Sequence, residues 1–360
     1  MKQNAESRSP EIGLDHAIAA ETRLSYGDPD TGLLVIRGRR IEELAGVHPY
    51  ETVVGLLWEE LLPGPITTDR LGTARAAAFG RFRPLAGSLG DLRPVEAQRF
   101  LLSSIPEAQA DPLLVAAAAG VATAIALRVA AGSEPIPPDT RLGHAADLLR
   151  MISGRVPETA ESAALDAYLV AMVDHGVSAS TLAARVAAST GAGLMAGVLA
   201  ALSTLQGPLH GGAPGLVLDM FDDIGTTERA QAWVEAMLDR RERLMGFGSR
   251  AYRIRDPRAD ILKTALLRLP HPRRRRVAFA EAVEDAALRA VAARKPDRIL
   301  QTNVEFYAAP LLEALGLPRS GFTPIFAAAR CAGWVAHVRE QEQVGRMLRP
   351  DYRYVGPQPL

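Results

Sequence analysis

The chain has one cysteine, Cys331, in 360 residues. That excludes an intramolecular disulfide and fits a reducing compartment. It also lacks net charge, since Lys+Arg and Asp+Glu stand equal at 41 each, so nothing global draws it to nucleic acid or to an anionic membrane. The four consecutive arginines Arg273 to Arg276 have no interleaved aromatic residues and read as a solvated loop between helices. No apolar signal core follows the polar start Met1 to Glu6, and a cytoplasmic protein is the expectation. The longest nearly uncharged apolar run, Leu113 to Leu127, is fifteen residues, short of the ~20 that span a bilayer. A buried helix is expected there.

Several chemistries are missing as well. Neither His-x-x-x-His nor paired cysteines occur, so no metal-ligand spacing is present. No Gly-x-Gly-x-x-Gly or phosphate-loop lysine pattern follows a strand. Gly248-Ser249-Arg250 lacks the second glycine of a nucleophile elbow. Sustained two-residue alternation is absent too, which predicts an almost all-α protein. With 48% apolar residues, a chain of this length buries a large core and is expected to divide into two lobes.

What is present falls into order along the chain. Residues 1 to about 20 read as a flexible arm. Between Glu21 and Arg40, the turn formers Tyr26 to Gly32 precede the apolar run Leu33 to Ile36, which predicts a small hairpin. Ile41 to Leu62 carries a two-helix unit around Pro49, and residues 66 to 170 carry helical patterns cut by prolines. Ser178 to Leu205 is a long helical pattern of small side chains, suited to close packing within the chain or across a dimer. Gln206 to Gly215 interrupts it with a single imidazole, His210, among glycines and prolines that allow tight turns and close approach. Alone, that loop reads as a helix end whose histidine caps a carbonyl.

Further on, Leu244-Met245-Gly246-Phe247-Gly248-Ser249 leads into Arg250, Arg253, Arg255 and Arg258. Asp256 and Pro257 predict a helix N-cap and first residue, with Arg258 in the first turn. Exposed helix-start amides and arginines attract phosphates or carboxylates, although any one arginine is more often a solvated surface group. Thr302-Asn303-Val304-Glu305 matches a capping box, a purely structural use for Glu305. Thr323-Pro324 predicts another helix start, which places Arg330, Gly333, Trp334 and His337 on one face; Pro350 is expected to end that pattern. His175, His210, Glu305, Arg258, Arg330 and Arg349 are the candidates for a polyanion site with acid–base residues.

The segments Ile41 to Leu44, Asp174 to Thr181, Gly207 to Ala213, Met245 to Gly248, Asp256 to Ala259, Asn303 to Phe306, Phe322 to Phe326 and Tyr354 to Pro357, in this order and spacing, resemble the citrate synthase family over about Glu21 to Pro357. The resemblance implies a mostly helical homodimer without a tightly bound cofactor. A large domain (21–211 and 317–360) would carry a smaller one (212–316) that closes over substrate. The implied reaction condenses oxaloacetate with acetyl-CoA and then hydrolyses the thioester. By the same resemblance, His210 stabilises the enolate, Glu305 removes the methyl proton, and His175, Arg258 and Arg330 hold oxaloacetate. Arg349 would reach the site of the other subunit. Leu244, Met245, Gly246, Phe247 and Gly248 would form the coenzyme A adenine site, with Arg253 on a phosphate.

Two departures stand out. Glu305 occupies the usual aspartate position, one methylene longer. Ser249 replaces a catalytic histidine, and a serine cannot offer an imidazolium or an acid titrating near neutrality. Gly176 and Ser178 also replace a usual Glu and Asn. Three readings stay open: a working citrate or 2-methylcitrate synthase, a relative diverted to another acyl-CoA or 2-oxo acid, and a catalytically weak ligand-binding or regulatory protein.

Overall fold

The computed structural model describes residues 18–211, 213–248, 252–271, 276–294 and 300–357. An antiparallel sheet comes first, β1 (Ser25–Gly27), β2 (Leu34–Ile36) and β3 (Arg39–Arg40), with Tyr26 opposite Val35 and Ile36 opposite Arg39. This is the expected hairpin with a short third strand added. Arg37 and Gly38, both at positive φ (49° and 79°), make the extra turn. Leu24, Leu34 and Ile36 are fully buried while Tyr26 is exposed, so the sheet packs on one face only.

All other regular structure is helical. The chain continues through α1 (Ile41–Leu44), α2 (Tyr50–Leu57), α3 (Thr68–Phe82), α4 (Pro94–Ser103), α5 (Pro112–Ala130), α6 (His144–Ser153) and α7 (Thr159–Met172). Then follow α8 (Ala179–Ser189), α9 (Leu194–Leu205), α10 (Ala213–Ile224), α11 (Ala230–Asp239) and α12 (Pro257–Leu267). The last three are α13 (Val277–Arg294), α14 (Val304–Ala314) and α15 (Phe322–Val344). The fold is all-α with a small N-terminal sheet.

Two long helices organise the core. At 19 residues α5 exceeds the apolar run read from sequence and is long and apolar enough to cross a membrane. Every residue from Val115 to Leu127 is nevertheless buried inside the protein, against α3, α4, α6 and α15. The other is α15, which packs on α5, α7, α8 and α9. Its small residues permit this: a β-carbon on Gly333 would overlap the Val173 carbonyl oxygen and sit 2.9 Å from Asp174 Oδ1. The segment after α7 therefore lies directly against α15, and the site is built there.

Three expected boundaries move. The small-residue stretch is two helices rather than one, because Gly191 and Gly193 take positive φ (77° and 96°) and turn α8 back onto α9. A β-carbon on Gly197 would lie 2.5 Å from Val338 Cγ2 on α15, so the close packing operates within the chain. Thr323 does not cap α15; its hydroxyl donates to the Gly211 carbonyl at 3.0 Å, and the helix starts at Phe322. Finally, α15 ends at Val344, where Gly345 (φ 64°) closes it before Pro350 is reached.

Candidate active site

Arg330, on the middle of α15, is the centre of the arrangement. It is buried, its Nε donates to the Met172 carbonyl at 2.6 Å, and its guanidinium lies 5.1 Å from the Phe326 ring centroid. Among the described residues it has no ion pair. Burial pushes it down to about 10, and the Asp174 charge is the strongest opposing influence. The Arg330 charge acts in turn on His175, His210, Glu305 and Asp174, which brings the sequence candidates into one neighbourhood. Gly333, Trp334 and His337 are buried with it, as is every residue from Pro324 to Val338, so α15 is enclosed on all sides there.

The segment following α7 supplies two functional groups. Asp174 accepts from Ser25 Oγ at 2.5 Å and from His337 Nε2 at 3.1 Å, while the same Ser25 hydroxyl accepts from the Gly176 amide at 2.6 Å. Gly176 has φ 59°, a reason for glycine at that departure. Next to it, His175 Nε2 meets the Tyr252 hydroxyl at 2.9 Å. Burial, followed by the Arg258 charge, pushes His175 down to about 3, so the ring is neutral in the physiological range.

Arg258 enters from the start of α12. Asp256 caps that helix through the Arg258 amide, as its sequence position predicts, and also grips the Arg258 side chain in a fork at 3.0 and 2.7 Å. Burial alone would raise the Asp256 carboxyl, but the Arg258 charge and hydrogen bonds outweigh it and hold it below the usual range. The fork is planar and bidentate.

Glu305 stands on the first turn of α14. The expected capping box does not form: Asn303 is the N-cap, accepting from the Glu305 amide at 3.0 Å. Thr302 instead donates to Glu284 of α13 at 2.5 Å, with Tyr307 donating to the same carboxylate at 2.6 Å and Arg255 at 2.5 Å. A tertiary partner has taken the hydroxyl that the motif needs. Glu305 Oε2 is sealed from solvent and has no hydrogen-bond partner. Burial pushes this carboxyl up to about 7; Arg258 and Arg330 oppose the rise and Asp256 adds to it. A carboxylate poised there can take a proton near neutrality.

The glycine loop 244–248 is fastened to the approach of α14. Asn303 N donates to the Gly246 carbonyl, Gly248 N to the Gln301 carbonyl, and Asn303 Nδ2 to the Gly248 carbonyl, at 2.9, 2.8 and 2.8 Å. Phe247 bridges Thr302 and packs its ring on Phe306. Gly246 is at φ 80°, and a β-carbon there would sit 2.8 Å from Phe306 Cβ, so only glycine fits. Leu244 and Phe247 are buried and Met245 is half-buried. The loop and the start of α14 are thus one unit.

His210 lies on the turn between α9 and α10. Its Nε2 is 2.8 Å from Ser180 Oγ and 3.4 Å from the Ser180 amide. Trp334 Nε1, which can only donate, reaches the same hydroxyl at 3.3 Å. Because the Ser180 amide donates to Nε2, that nitrogen is an acceptor and the His210 ring proton stands on Nδ1. Burial and then the Arg330 charge push His210 down to about 4. The ring is neutral and held by Ser180, and a hydrogen bond to its own backbone opposes the downward shift.

Other candidates stand apart. Arg349 is exposed on the tail after α15, and this chain does not bring it to the cluster. Arg253 is exposed and paired with Asp30 on the β1–β2 turn at 2.7 Å. Ser249, Arg250 and Arg273 to Arg275 lie outside the described residues. Sequence reading missed Tyr252, Ser180 and Ser25 as partners of the two histidines and of Asp174; isolated hydroxyls in helical or loop segments carry no spacing signal.

With this geometry in hand, likeness to known proteins is specific. A family described as "Citrate synthase, C-terminal domain" matches residues 13–351. The citrate synthase of Haloferax volcanii is 35% identical over 97% of this chain and 96% of its own. The crystal structure of citrate synthase from Thermotoga maritima superposes with a TM-score of 0.85 at 31% identity, covering 97% of this chain and 96% of that one. A ternary complex of carboxymethyl coenzyme A and oxaloacetate with citrate synthase from Thermoplasma acidophilum gives 0.85 at 25% identity, with the same coverage. The chain belongs to the citrate synthase family and is an enzyme of that acyl-transferring type.

Proposed function

We propose that the enzyme condenses oxaloacetate with acetyl-CoA and hydrolyses the resulting thioester to citrate and CoA. The observation that carries this reading is the unpartnered Glu305 Oε2 within the field of two buried arginines, one of which, Arg330, also acts on the neutral His210. Oxaloacetate is a dicarboxylate, and Arg258 and Arg330 supply charge-assisted donors for it, with His175 as a neutral third. Arg349, exposed on its own chain, completes the set in a second subunit, which makes the working unit a homodimer. The small lobe 212–316 closes over the bound acid.

In this scheme the thioester oxygen accepts from His210 Nδ1. Glu305 takes a methyl proton, and the C–H electron pair becomes the enolate that His210 stabilises. Attack of that carbon on the oxaloacetate ketone forms the new C–C bond, and water then releases CoA. Leu244 to Gly248 receive the adenine through backbone groups, and Arg253 exchanges Asp30 for a coenzyme A phosphate. CoA acts as substrate and product, and the protein works in the cytoplasm.

Ser249 is the position that tests this reading. Without an acid there, protonation of the developing alkoxide relies on water or a neighbouring donor, and general acid contributions are typically ~10²–10⁴-fold. The experiment is thiol release from acetyl-CoA or propionyl-CoA with oxaloacetate, for the native enzyme beside Ser249→His. Release that requires both substrates is expected. No thiol from either acyl-CoA, with oxaloacetate still raising the melting temperature, would leave a ligand-binding relative instead. A large gain on Ser249→His would mean a site tuned to another 2-oxo acid or acyl donor.

A further inference from the structure

Two buried polar atoms on helices that pack together, α14 and α7, have no partner: Glu305 Oε2 and the Tyr168 hydroxyl. As a carboxylate the first accepts, and the phenol can donate to it. The remaining unpartnered buried atoms among the described residues belong to Arg75, Gln98 and His144, on α3, α4 and α6. Tyr168 is fully buried on α7, one turn before Met172, whose carbonyl holds Arg330, and α7 packs on both α12 and α14. Burial first, and then the Glu305 charge, raises the phenol far above its usual value, so it keeps its proton. Charged groups facing Glu305 are otherwise engaged. Arg258 and Asp256, from the start of α12, grip each other, and Arg330, from α15, holds Met172 through Nε.

We propose that Tyr168 is a positioning residue for Glu305, its hydroxyl donating to Oε2 when substrate is held and leaving Oε1 to receive the methyl proton. An unmade buried hydrogen bond is costly, and pairing these two atoms, carried on helices that pack together, removes both deficits at once. The phenol keeps its proton throughout; the transferred proton goes to Oε1 and the electron pair stays on the enolate carbon and oxygen. The inference rests on Glu305 being the base.

Tyr168→Phe removes the hydroxyl alone, and because that hydroxyl has no partner in the substrate-free protein, the melting temperature should not fall. The acid limb of kcat should move up by about one pH unit, since a hydrogen bond that favours the anion is lost. KM for both substrates should hold. A second measurement is independent of turnover: the infrared carbonyl band of protonated Glu305, identified by its loss in Glu305→Gln, should titrate about one unit higher in Tyr168→Phe with oxaloacetate bound. Glu305→Asp, one methylene shorter, should show the shift already, and adding Tyr168→Phe to it should change nothing more. An unmoved band and acid limb in Tyr168→Phe would overturn the proposal while leaving Glu305 as the base. Persisting turnover in Glu305→Gln would instead remove the base reading, and the band would still decide whether Tyr168 bonds the carboxylate.

Discussion

Asp174 and Glu305 both lie in the field of one arginine and are treated in opposite ways. Burial penalises the charged form of both, and Arg330 acts on both. Asp174 has His337 and Ser25 on its oxygens, and the interaction with His337, then the Arg330 charge and the Ser25 hydrogen bond, overcome burial and hold it down to about 2. Glu305 has no donor on Oε2 and is pushed up to about 7. Hydrogen-bond satisfaction, more than depth, separates a carboxylate that holds structure from one that exchanges protons. The same molecule needs both, because the fixed charge of Asp174 anchors the segment bearing His175.

The largest expected effect falls on the unpartnered carboxylate. Glu305→Gln keeps size and removes the base, and condensation measured by thiol release should fall ~10²–10⁴-fold with oxaloacetate protection retained. Turnover within a factor of two of native would end the distinction drawn between the two acids. Asp174→Asn tests the other member. Removing one partner of a buried network leaves His337 and the Ser25 hydroxyl poorly matched, at a cost of about 3–5 kcal/mol, seen as a lower denaturation midpoint. A midpoint unchanged by Asp174→Asn would show that its bonds contribute no stability.

The two acids should also give pH dependences of opposite sign. Asp174 is lowered in the folded state, from 3.8 to about 2, so its stabilisation is full above 3.8 and is lost as pH falls through about 2, some ~2 kcal/mol. Glu305 is raised, from 4.5 to about 7, so it contributes nothing unfavourable below 4.5 and an increasing penalty as pH climbs to 7. Replacing it with glutamine should therefore stabilise the protein by about 1–3 kcal/mol at pH 8, with the difference vanishing near pH 4.5. Equal effects at both pH values would mean that Glu305 titrates normally.

Local signals carried much of this into the sequence and tertiary partners carried the rest. Asp256-Pro257 marked a helix start that the structure places where expected, and helical spacing marked Arg330 and His337 as residues of one helix, though not that the helix is enclosed on every side. The capping box at Thr302 misled because Glu284, eighteen residues away, takes its hydroxyl. Residues such as Ser180, Tyr252 and Tyr168 look like ordinary helix or loop constituents until a distant segment is folded against them. The lone polar atoms on Glu305 and Tyr168 are invisible for the same reason, since an absent partner has no sequence signature.

The smallest effect belongs to a pair that solvent screens. Arg253 and Asp30 are 70% and 63% exposed, and exposed ion pairs contribute little to stability. The pair is informative because Asp30 holds the guanidinium that we propose for a coenzyme A phosphate. Arg253→Ala should leave the melting temperature nearly unchanged and raise KM for acetyl-CoA a few-fold, with kcat held. Asp30→Ala should do the reverse, lowering that KM by releasing the guanidinium from its resident partner. Both effects should fade in high salt, because exposed charges lie within reach of counterions. If Asp30→Ala raised KM as much as Arg253→Ala, the pair would be a fixed part of the turn that positions β1 and β2, and the phosphate contact would have to be sought elsewhere on the loop.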